Sequence, residues 1–432
     1  MMTYVEAIEF IHGTYTFGIK LGLDNIGKLL EIMGDPQDTL KFVHIAGTNG
    51  KGSTSNMISS VLQNAGYKVG LYISPYLEEF TERIQINGVQ IPKERLADTT
   101  WKVKKNIEKI MQLGYPHPSE FEVVTAIGIQ YFYDEMVDIV VLEVGMGGRF
   151  DATNIIQKSE VSVITSVGLD HVQYLGNTLQ QIAYEKAGII KNNGNVVLSP
   201  QSSEVTQEIL KVCEVNKASV YIPNIDCITS LETSLTGQSL HYQSAEFGAF
   251  DFTLRLLGEH QIINCLTAIA VLEILVKNHY QISISAIQAG MKQVNFPGRF
   301  ELLQTAPTII IDGAHNEAGI DALISTIQKY LKKKVKIVLG ILADKDFSTM
   351  IQKLSTITDE IYTVTPNNPR AMNAVQLADF IKEKCPALSV YPLSSIEESV
   401  ALAKNATITD TFIFAGSLYM IGEARTYLKR NK

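Results

Sequence analysis

Cysteine is scarce: the 432 residues hold four, Cys213, Cys227, Cys265 and Cys385, far apart and in no CxxC pair. That spacing argues against a disulfide framework or a cysteine zinc site and suits reduced thiols. Excess basic charge is also missing. With 37 Lys and Arg against 45 Asp and Glu, the formal charge is −8, which disfavours a basic stripe for nucleic acid. Nucleotide binding stays open, because backbone N–H groups and one Lys suffice to hold phosphates. No apolar run approaches the ~18 residues of a membrane span. The opening stretch MMTYVEAIEF has no basic segment followed by an apolar one, so no secretory signal is expected. The expectation is a cytoplasmic, monomeric protein without membrane or nucleic-acid partners.

What is present is an ordinary globular balance, 46% hydrophobic and 19% charged. The length exceeds the size at which a single core keeps growing, which implies two domains. Residues 41–46 (KFVHIA) read as a buried strand, 53–65 as a helix stopped by Gly66, and 69–73 as a second strand. Such a unit implies parallel pairing through a right-handed crossover. Further apolar runs at 138–144, 161–167 and 196–198 read as strands, and Thr178 to Gln181 is a capping-box pattern opening a helix that Gly188 ends. Residues 202–257 look less regular, and 260–276 form a strongly apolar, hence buried, helix. From Pro307 onward, strands at 308–311, 336–339, 360–364 and 411–414 alternate with helical segments, the rhythm of a doubly wound unit. The Pro297-Gly298 turn signal marks the boundary. The expected fold is α/β with two domains: an N-terminal phosphate-loop ATPase domain with a parallel sheet over 1–296, and a C-terminal Rossmann-like domain over 297–432, the active site in the cleft between them.

Between the first strand and helix lies Ala46-Gly-Thr-Asn-Gly-Lys-Gly-Ser53. Glycines at 47, 50 and 52 allow a tight turn with inward N–H groups, Lys51 supplies a cation, and the helix N-terminus adds partial positive charge. The loop departs from G-x-x-x-x-G-K-[ST]: its first two glycines are closer together, and Gly52 stands where a hydroxyl usually holds Mg²⁺. A metal ligand must come from elsewhere, which disfavours common GTPase and motor classes. Glu143, at the carboxyl end of a strand, and His171, following another, offer a carboxylate and an imidazole near the loop.

The heptapeptide GTNGKGS closely resembles the loop of folylpolyglutamate synthases and dihydrofolate synthases in the Mur ligase superfamily. The resemblance extends, in the family's order, through Ser74-Pro75, Glu82-Arg83-Ile84, Phe121-Glu122, residues 143–154 (EVGMGGRFDATN), Asp170-His171, 185–190 (EKAGII), His260-Gln261, Asn264, 297–301 (PGRFE), 312–316 (DGAHN), 344–346 (DKD) and 416–419 (GSLY). It spans almost the whole chain.

The resemblance implies that Gly47, Thr48, Asn49, Gly50, Lys51, Gly52 and Ser53 bind ATP, with Asn264, Arg299 and Asp312 contacting the nucleotide. It implies Ser74, Glu143 and His171 as Mg²⁺ ligands, Ser74 filling the gap left by Gly52. Lys51, His171 and Lys186 are the implied catalytic groups, Lys186 as a carbamate. By residue type alone, Lys186 would be a solvated lysine, His171 a strand-end histidine satisfied by backbone, and Asn264 a helix–helix hydrogen-bonding residue. Residues 145–149 (GMGGR) read as a flexible glycine loop, and the family uses this region, with Asp151, around a pteroate. Ser119, Phe121 and Glu122 resemble the neighbouring pterin-side segment, and Arg83 joins the candidate substrate residues. This chain reads Ser74-Pro75-Tyr76 where many relatives carry histidine third, so no histidine role passes to Tyr76. His315, Lys345 and Ser417 are candidates near the incoming amino acid.

The reaction so implied is ATP-dependent addition of L-glutamate to a reduced folate, to dihydropteroate, or to both, through an acyl phosphate with release of ADP and phosphate. Relatives often require a monovalent cation such as K⁺. The competing readings are a Mur-type ligase for peptidoglycan precursors, a phosphate-loop phosphotransferase or NTPase, and a non-catalytic ATP-binding module.

Overall fold

The computed structural model describes residues 2–18, 22–343 and 347–430. Three sheets organise it. The first has eight strands in the order Val89–Gln90, Ile84–Ile86, Val69–Tyr72, Ile139–Glu143, Phe42–Ala46, Val161–Ile164, Asn195–Leu198, Ser219–Tyr221. From Val69–Tyr72 onward all neighbours are parallel, and the first two strands are antiparallel additions. Period-two alternation explains how one strand serves two cores. Val43 and Ile45 pack with Val69, Val141 and Val163 on one face, while Phe42 packs with Tyr72, Val140 and Leu142 on the other.

The helix Lys51–Asn64 crosses the first of these faces. Gly66, at φ +95°, follows it, as the stop signal implied. Against it lies Glu259–Lys277, buried along nearly its whole length. Among the described residues this is the one helix long and apolar enough to cross a membrane, and 72% of its apolar window is buried inside the protein. Core packing therefore accounts for its composition.

The sequence reading of 202–257 as irregular is corrected. It comprises the helix Ser203–Val215, the strand Ser219–Tyr221 and an antiparallel meander of Ile228–Ser234, Gly237–Ser244 and Gly248–Leu254. Only one face of the meander is covered, by Leu240, Tyr242, Phe250, Phe252 and Leu254. The polar outer face diluted the apolar signal that marks the sheet strands elsewhere.

The third sheet follows Gly298. Its order is Glu301–Thr305, Thr308–Ile311, Thr411–Ala415, Lys336–Leu339, Glu360–Thr363, Ser389–Pro392, parallel except for the first hairpin. Ile310, Ile337 and Ile413 face one helical layer, whereas Ile309, Val338 and Phe412 face the other. That is the expected doubly wound unit. The edge strands Glu301–Thr305 and Ser389–Pro392, part-exposed, lay outside the sequence reading.

The helix Ile284–Gln293 approaches Lys51–Asn64 at backbone distance. A Cβ on Gly290 would lie 2.6 Å from Val61 Cα, and Ser60 Oγ donates to Gly290 O at 2.8 Å. Gly290→Ala should therefore cost about 1–3 kcal/mol by overpacking, read as a lowered thermal midpoint.

Candidate active site

The strand Phe42–Ala46 delivers the glycine turn into the centre of the first sheet's carboxyl edge, where α/β sheets bind ligands. Gly50 has φ +88°, and a Cβ there would lie 2.3 Å from Asn264 Oδ1. Thr48 and Asn49 N–H donate to Ser166 O at 2.7 and 3.3 Å, and Thr165 Oγ1 donates to Asn49 O at 2.9 Å. Thr48 Oγ1 also donates to Gly168 O at 3.0 Å. The main-chain donors of Thr48 and Asn49, both expected to hold phosphate, are thus engaged in shaping the loop. The helix begins at Lys51, two residues earlier than expected, and its first backbone bond is Thr54 N–H to Gly50 O at 2.9 Å. Its opening N–H groups, those of Lys51, Gly52 and Ser53, are therefore left for an anion.

Gly52 has a neighbour that explains it. A Cβ would meet the Phe296 ring at 2.6 Å and Glu143 Oε2 at 3.5 Å. No hydroxyl-bearing side chain fits there without moving that ring.

Two lysines converge on one oxygen. Lys51 Nζ donates to Gly47 O at 3.1 Å and Thr48 O at 3.2 Å, and Lys186 Nζ donates to Gly47 O at 2.8 Å. Lys186 is 3% exposed, not solvated. Burial, reinforced by the Lys51 charge, pulls its amine down to about 7. Glu143 is buried and takes Ser74 N–H at 3.2 Å. Burial pushes its carboxyl up to about 7, against the opposing pull of Lys51.

The glycine loop after Glu143 is pinned, which corrects the expectation of flexibility. Asp151 Oδ2 accepts Met146 N–H at 2.9 Å, while Oδ1 accepts Thr153 N–H at 3.0 Å and Oγ1 at 2.6 Å. Arg149 N–H donates to Glu185 O at 2.8 Å, tying the loop to the helix Leu179–Ala187 that carries Lys186. Phe121 packs on Gly145, its ring 2.5 Å from where a Cβ would sit. Ser119 and Glu122 are buried and bind each other as the capping box of the helix Glu120–Asp134, at 2.8 and 2.7 Å. Arg83 lies over the rings of Tyr76 and Phe80, 5.3 and 5.4 Å from their centroids.

Several expected residues reach this region from the far side. Asn264 Nδ2 donates to Gln261 Oε1 at 3.1 Å while its Oδ1 abuts Gly50. Arg299 lies 5.1 Å over the Phe296 ring. Asp312 takes the N–H groups of Phe300 and Ala314 at 2.8 and 2.9 Å, so both oxygens already shape the segment expected to meet ribose. His315 Nδ1 lies 2.8 Å from Gly313 O. Ser417 Oγ is buried and without a hydrogen bond among the described residues. Lys345 lies outside the described residues. Sequence reasoning gave Asn316 no role, yet its Nδ2 donates to Asn49 Oδ1 at 3.2 Å, joining the C-terminal unit to the loop. An Asn before Glu317 is an N-cap pattern, and the Asn316 side chain caps that helix, but that pattern carries no signal for the bond to Asn49.

Two cavities meet the loop. One of about 420 Å³ is lined by Gly52, Ser74, Glu143, Phe296, Arg299 and Arg425. The other, about 20 Å³, is lined by Lys51, Gly145, Asp170, His171 and Lys186. His171 thus sits on the Lys186 side and Ser74 with Glu143 on the other. Among the described residues no three His, Cys, Asp or Glu side chains gather as a metal cluster. Positive charge, free helix N–H groups and a cleft between domains can hold a polyphosphate beside a second substrate.

Residues 45–272 match the Mur ligase middle domain, and 298–418 match the Mur ligase glutamate ligase domain. A dihydrofolate synthase/folylpolyglutamate synthase from Bacillus subtilis is 36% identical over 430 residues, covering 99% of both chains. A folylpolyglutamate synthase from Lacticaseibacillus casei is 32% identical over 437 residues, covering 100% of both. The Mycobacterium tuberculosis folylpolyglutamate synthase complexed with ADP and AMPPCP is similar with a TM-score of 0.90 at 31% identity, covering 99% of each chain.

Gly148 tests whether the pinned loop matters. A Cβ there would lie 2.8 Å from Lys186 O and 2.9 Å from Glu185 O. Gly148→Ala should lower turnover at least tenfold while costing about 1–3 kcal/mol of stability, measured by steady-state kinetics beside thermal unfolding.

Proposed function

The chain belongs to the folylpolyglutamate synthase/dihydrofolate synthase family of Mur ligases, and from that premise we propose how its site joins L-glutamate to a reduced folate, to dihydropteroate, or to both. It is an ATP-dependent ligase acting on small molecules. The Mur peptidoglycan, switch-NTPase and non-catalytic readings give way, because full-length similarity runs to folate enzymes. One observation carries the mechanism: Lys51 and Lys186 converge on Gly47 O at the head of a helix.

Amide formation in water is uphill, so the acceptor carboxylate must be activated. In our reading its oxygen attacks the γ-phosphorus of ATP and ADP leaves. The glutamate amine then attacks the acyl phosphate, sheds its proton, and phosphate departs. Lys51 and the N–H groups of Lys51, Gly52 and Ser53 take the phosphate charge from one side, and Arg299 takes it from the other. Asn264 and Asp312 face the nucleoside, and Asn316 ties the closing domain to the loop through Asn49. Closure about Pro297-Gly298 keeps water from the acyl phosphate. Asp151, Phe121 and the pinned glycine loop border the pteroate, with Ser119 and Glu122 holding that helix end in place. Arg83, His315, Ser417 and Lys345 complete the substrate roles we propose.

Mg²⁺ fits Ser74 and Glu143. Glu143 has a buried carboxyl, no ion pair among the described residues, and a pKa that burial pushes up to about 7; a divalent cation would hold it ionised. Ser74 supplies the hydroxyl that Gly52 cannot, and His171 completes the set we propose, opposite them. When bound, the ion would neutralise phosphoryl charge. A K⁺ requirement and a monomeric state complete this reading. The domain boundary at 296/297 is supported by family matches ending at 272 and resuming at 298. Four free cysteines support a cytoplasmic location.

Lys186 is proposed to carry a carbamate. Carbon dioxide adds only to a neutral amine, and an amine drawn down to about 7 is substantially neutral at physiological pH. The sign follows: below about 7 the ammonium dominates and the carbamate is lost, and above it the carbamate forms. Protein equilibrated with ¹³C-bicarbonate should show a carbamate resonance that grows through this range and is absent from Lys186→Arg; the same spectrum from both proteins would refute it.

The function itself is tested by ADP release with glutamate and, separately, dihydropteroate and tetrahydrofolate. Release should require both glutamate and an acceptor, and Lys51→Ala should lower it by at least 100-fold. ADP formation indifferent to acceptor would overturn the reading.

A further inference from the structure

The loop bearing Ser74 belongs to the N-terminal sheet by connectivity but is fastened to the C-terminal unit. It leaves the strand Val69–Tyr72 and returns at Ile84–Ile86. Glu82 accepts the N–H groups of Leu77, Glu78 and Glu79 at 2.8, 3.0 and 2.9 Å, so one carboxylate holds the middle of the loop as a unit. Glu78 then reaches the last helix, Leu418–Lys429. Its Oε1 accepts Thr426 Oγ1 at 2.8 Å, and its Oε2 pairs with Arg425 Nη1.

The other edge of the same guanidinium holds Glu301. Arg425 Nε donates to Glu301 Oε2 at 2.9 Å, and Nη2 donates to Oε1 at 2.9 Å. Glu301 Oε2 also accepts Gly298 N–H, in the turn between domains, at 2.9 Å. Arg425 is 7% exposed. Beside it, a Cβ on Gly422 would fall 2.0 Å from Leu77 O, so loop and helix meet at backbone distance. At the loop's start, Ser74 N–H touches Glu143.

We propose that Arg425 is a positioning residue: it bolts the Ser74 loop to the interdomain turn and the last helix, so that domain closure sets where Ser74 stands against Glu143. The inference rests on Ser74 and Glu143 as cation ligands. Three segments share one planar group. An ordinary brace between a helix and its own sheet would need Glu301 alone; Glu78 adds an arm across the domain boundary. Lysine, a point charge, cannot hold two carboxylates on two edges, and without the guanidinium two half-buried carboxylates face each other uncompensated.

The test uses the full chain with ADP and Mn²⁺ as the probe, free Mn²⁺ being counted by electron paramagnetic resonance. Arg425→Lys should weaken Mn²⁺ binding by about tenfold or more, as loss of ligand-orienting partners typically does. Glu78→Gln, which keeps shape and leaves the Arg425–Glu301 pair, should do the same and carries the test if Arg425→Lys does not fold. Amide exchange at Leu77, Glu78 and Glu79 should accelerate in both. In a Ser74→Ala background, either change should add nothing further to the Mn²⁺ defect. Unaltered Mn²⁺ affinity in both clamp variants, or unaltered exchange, overturns the proposal while Ser74→Ala still binds Mn²⁺ weakly. If Ser74→Ala itself binds Mn²⁺ normally, the cation reading fails first and takes the proposal with it.

Discussion

Two amino groups donating to one carbonyl oxygen, Gly47 O, set the electrostatic problem that the rest of the site resolves. Neither cation has a carboxylate partner within ion-pair distance among the described residues. Lowering the Lys186 amine from 10.5 to about 7 corresponds to about 5 kcal/mol of disfavoured charge. Across the loop the mirror problem exists in Glu143, a buried acid kept from ionising freely. Both are relieved by what the proposed chemistry brings: a polyphosphate for the lysines and a divalent cation for the carboxylate. The site is arranged for ligands before they arrive, which is how electrostatic catalysis avoids reorganisation during the reaction.

The fold supplies these groups from opposite sides of a cleft. Parallel strands present their carboxyl ends together, so the glycine turn, Glu143 and the segment leading to His171 emerge along one edge. The third sheet adds Arg299 and Asn316 from across the boundary. Phe296, immediately before the turn between domains, fills the space beside Gly52. Part of the active-site wall is therefore built from the junction itself. A change in domain angle would alter the reaction centre directly, without a separate relay.

Much of this was legible in the sequence because it depends on short, steeply constrained patterns. Glycine spacing before Lys51 marked the loop, short apolar runs between helical segments marked the parallel strands of both large sheets, and Thr178 to Gln181 marked the helix of Lys186. What escaped notice depends on distance in the chain. The Asn49–Asn316 bond and the Arg425–Glu78 pair join residues hundreds of positions apart, and no local pattern announces them. Other residues proved to be engaged already: Ser119 and Glu122 cap a helix, Asp312 shapes its own segment, and Thr48 and Asn49 have their N–H groups taken by Ser166 on a neighbouring strand's continuation. A motif marks where a residue belongs, but partners decide which of its atoms remain available. The 202–257 region failed differently, since a sheet covered on one face alone carries half the apolar signal.

The central claim, that this cluster of positive charge primes a carboxylic acid by phosphoryl transfer, is tested most directly with an acceptor labelled with ¹⁸O in its reacting carboxylate. If the acyl phosphate forms, one labelled oxygen moves to the released phosphate in each turnover. Amide product with all label absent from phosphate would contradict the account.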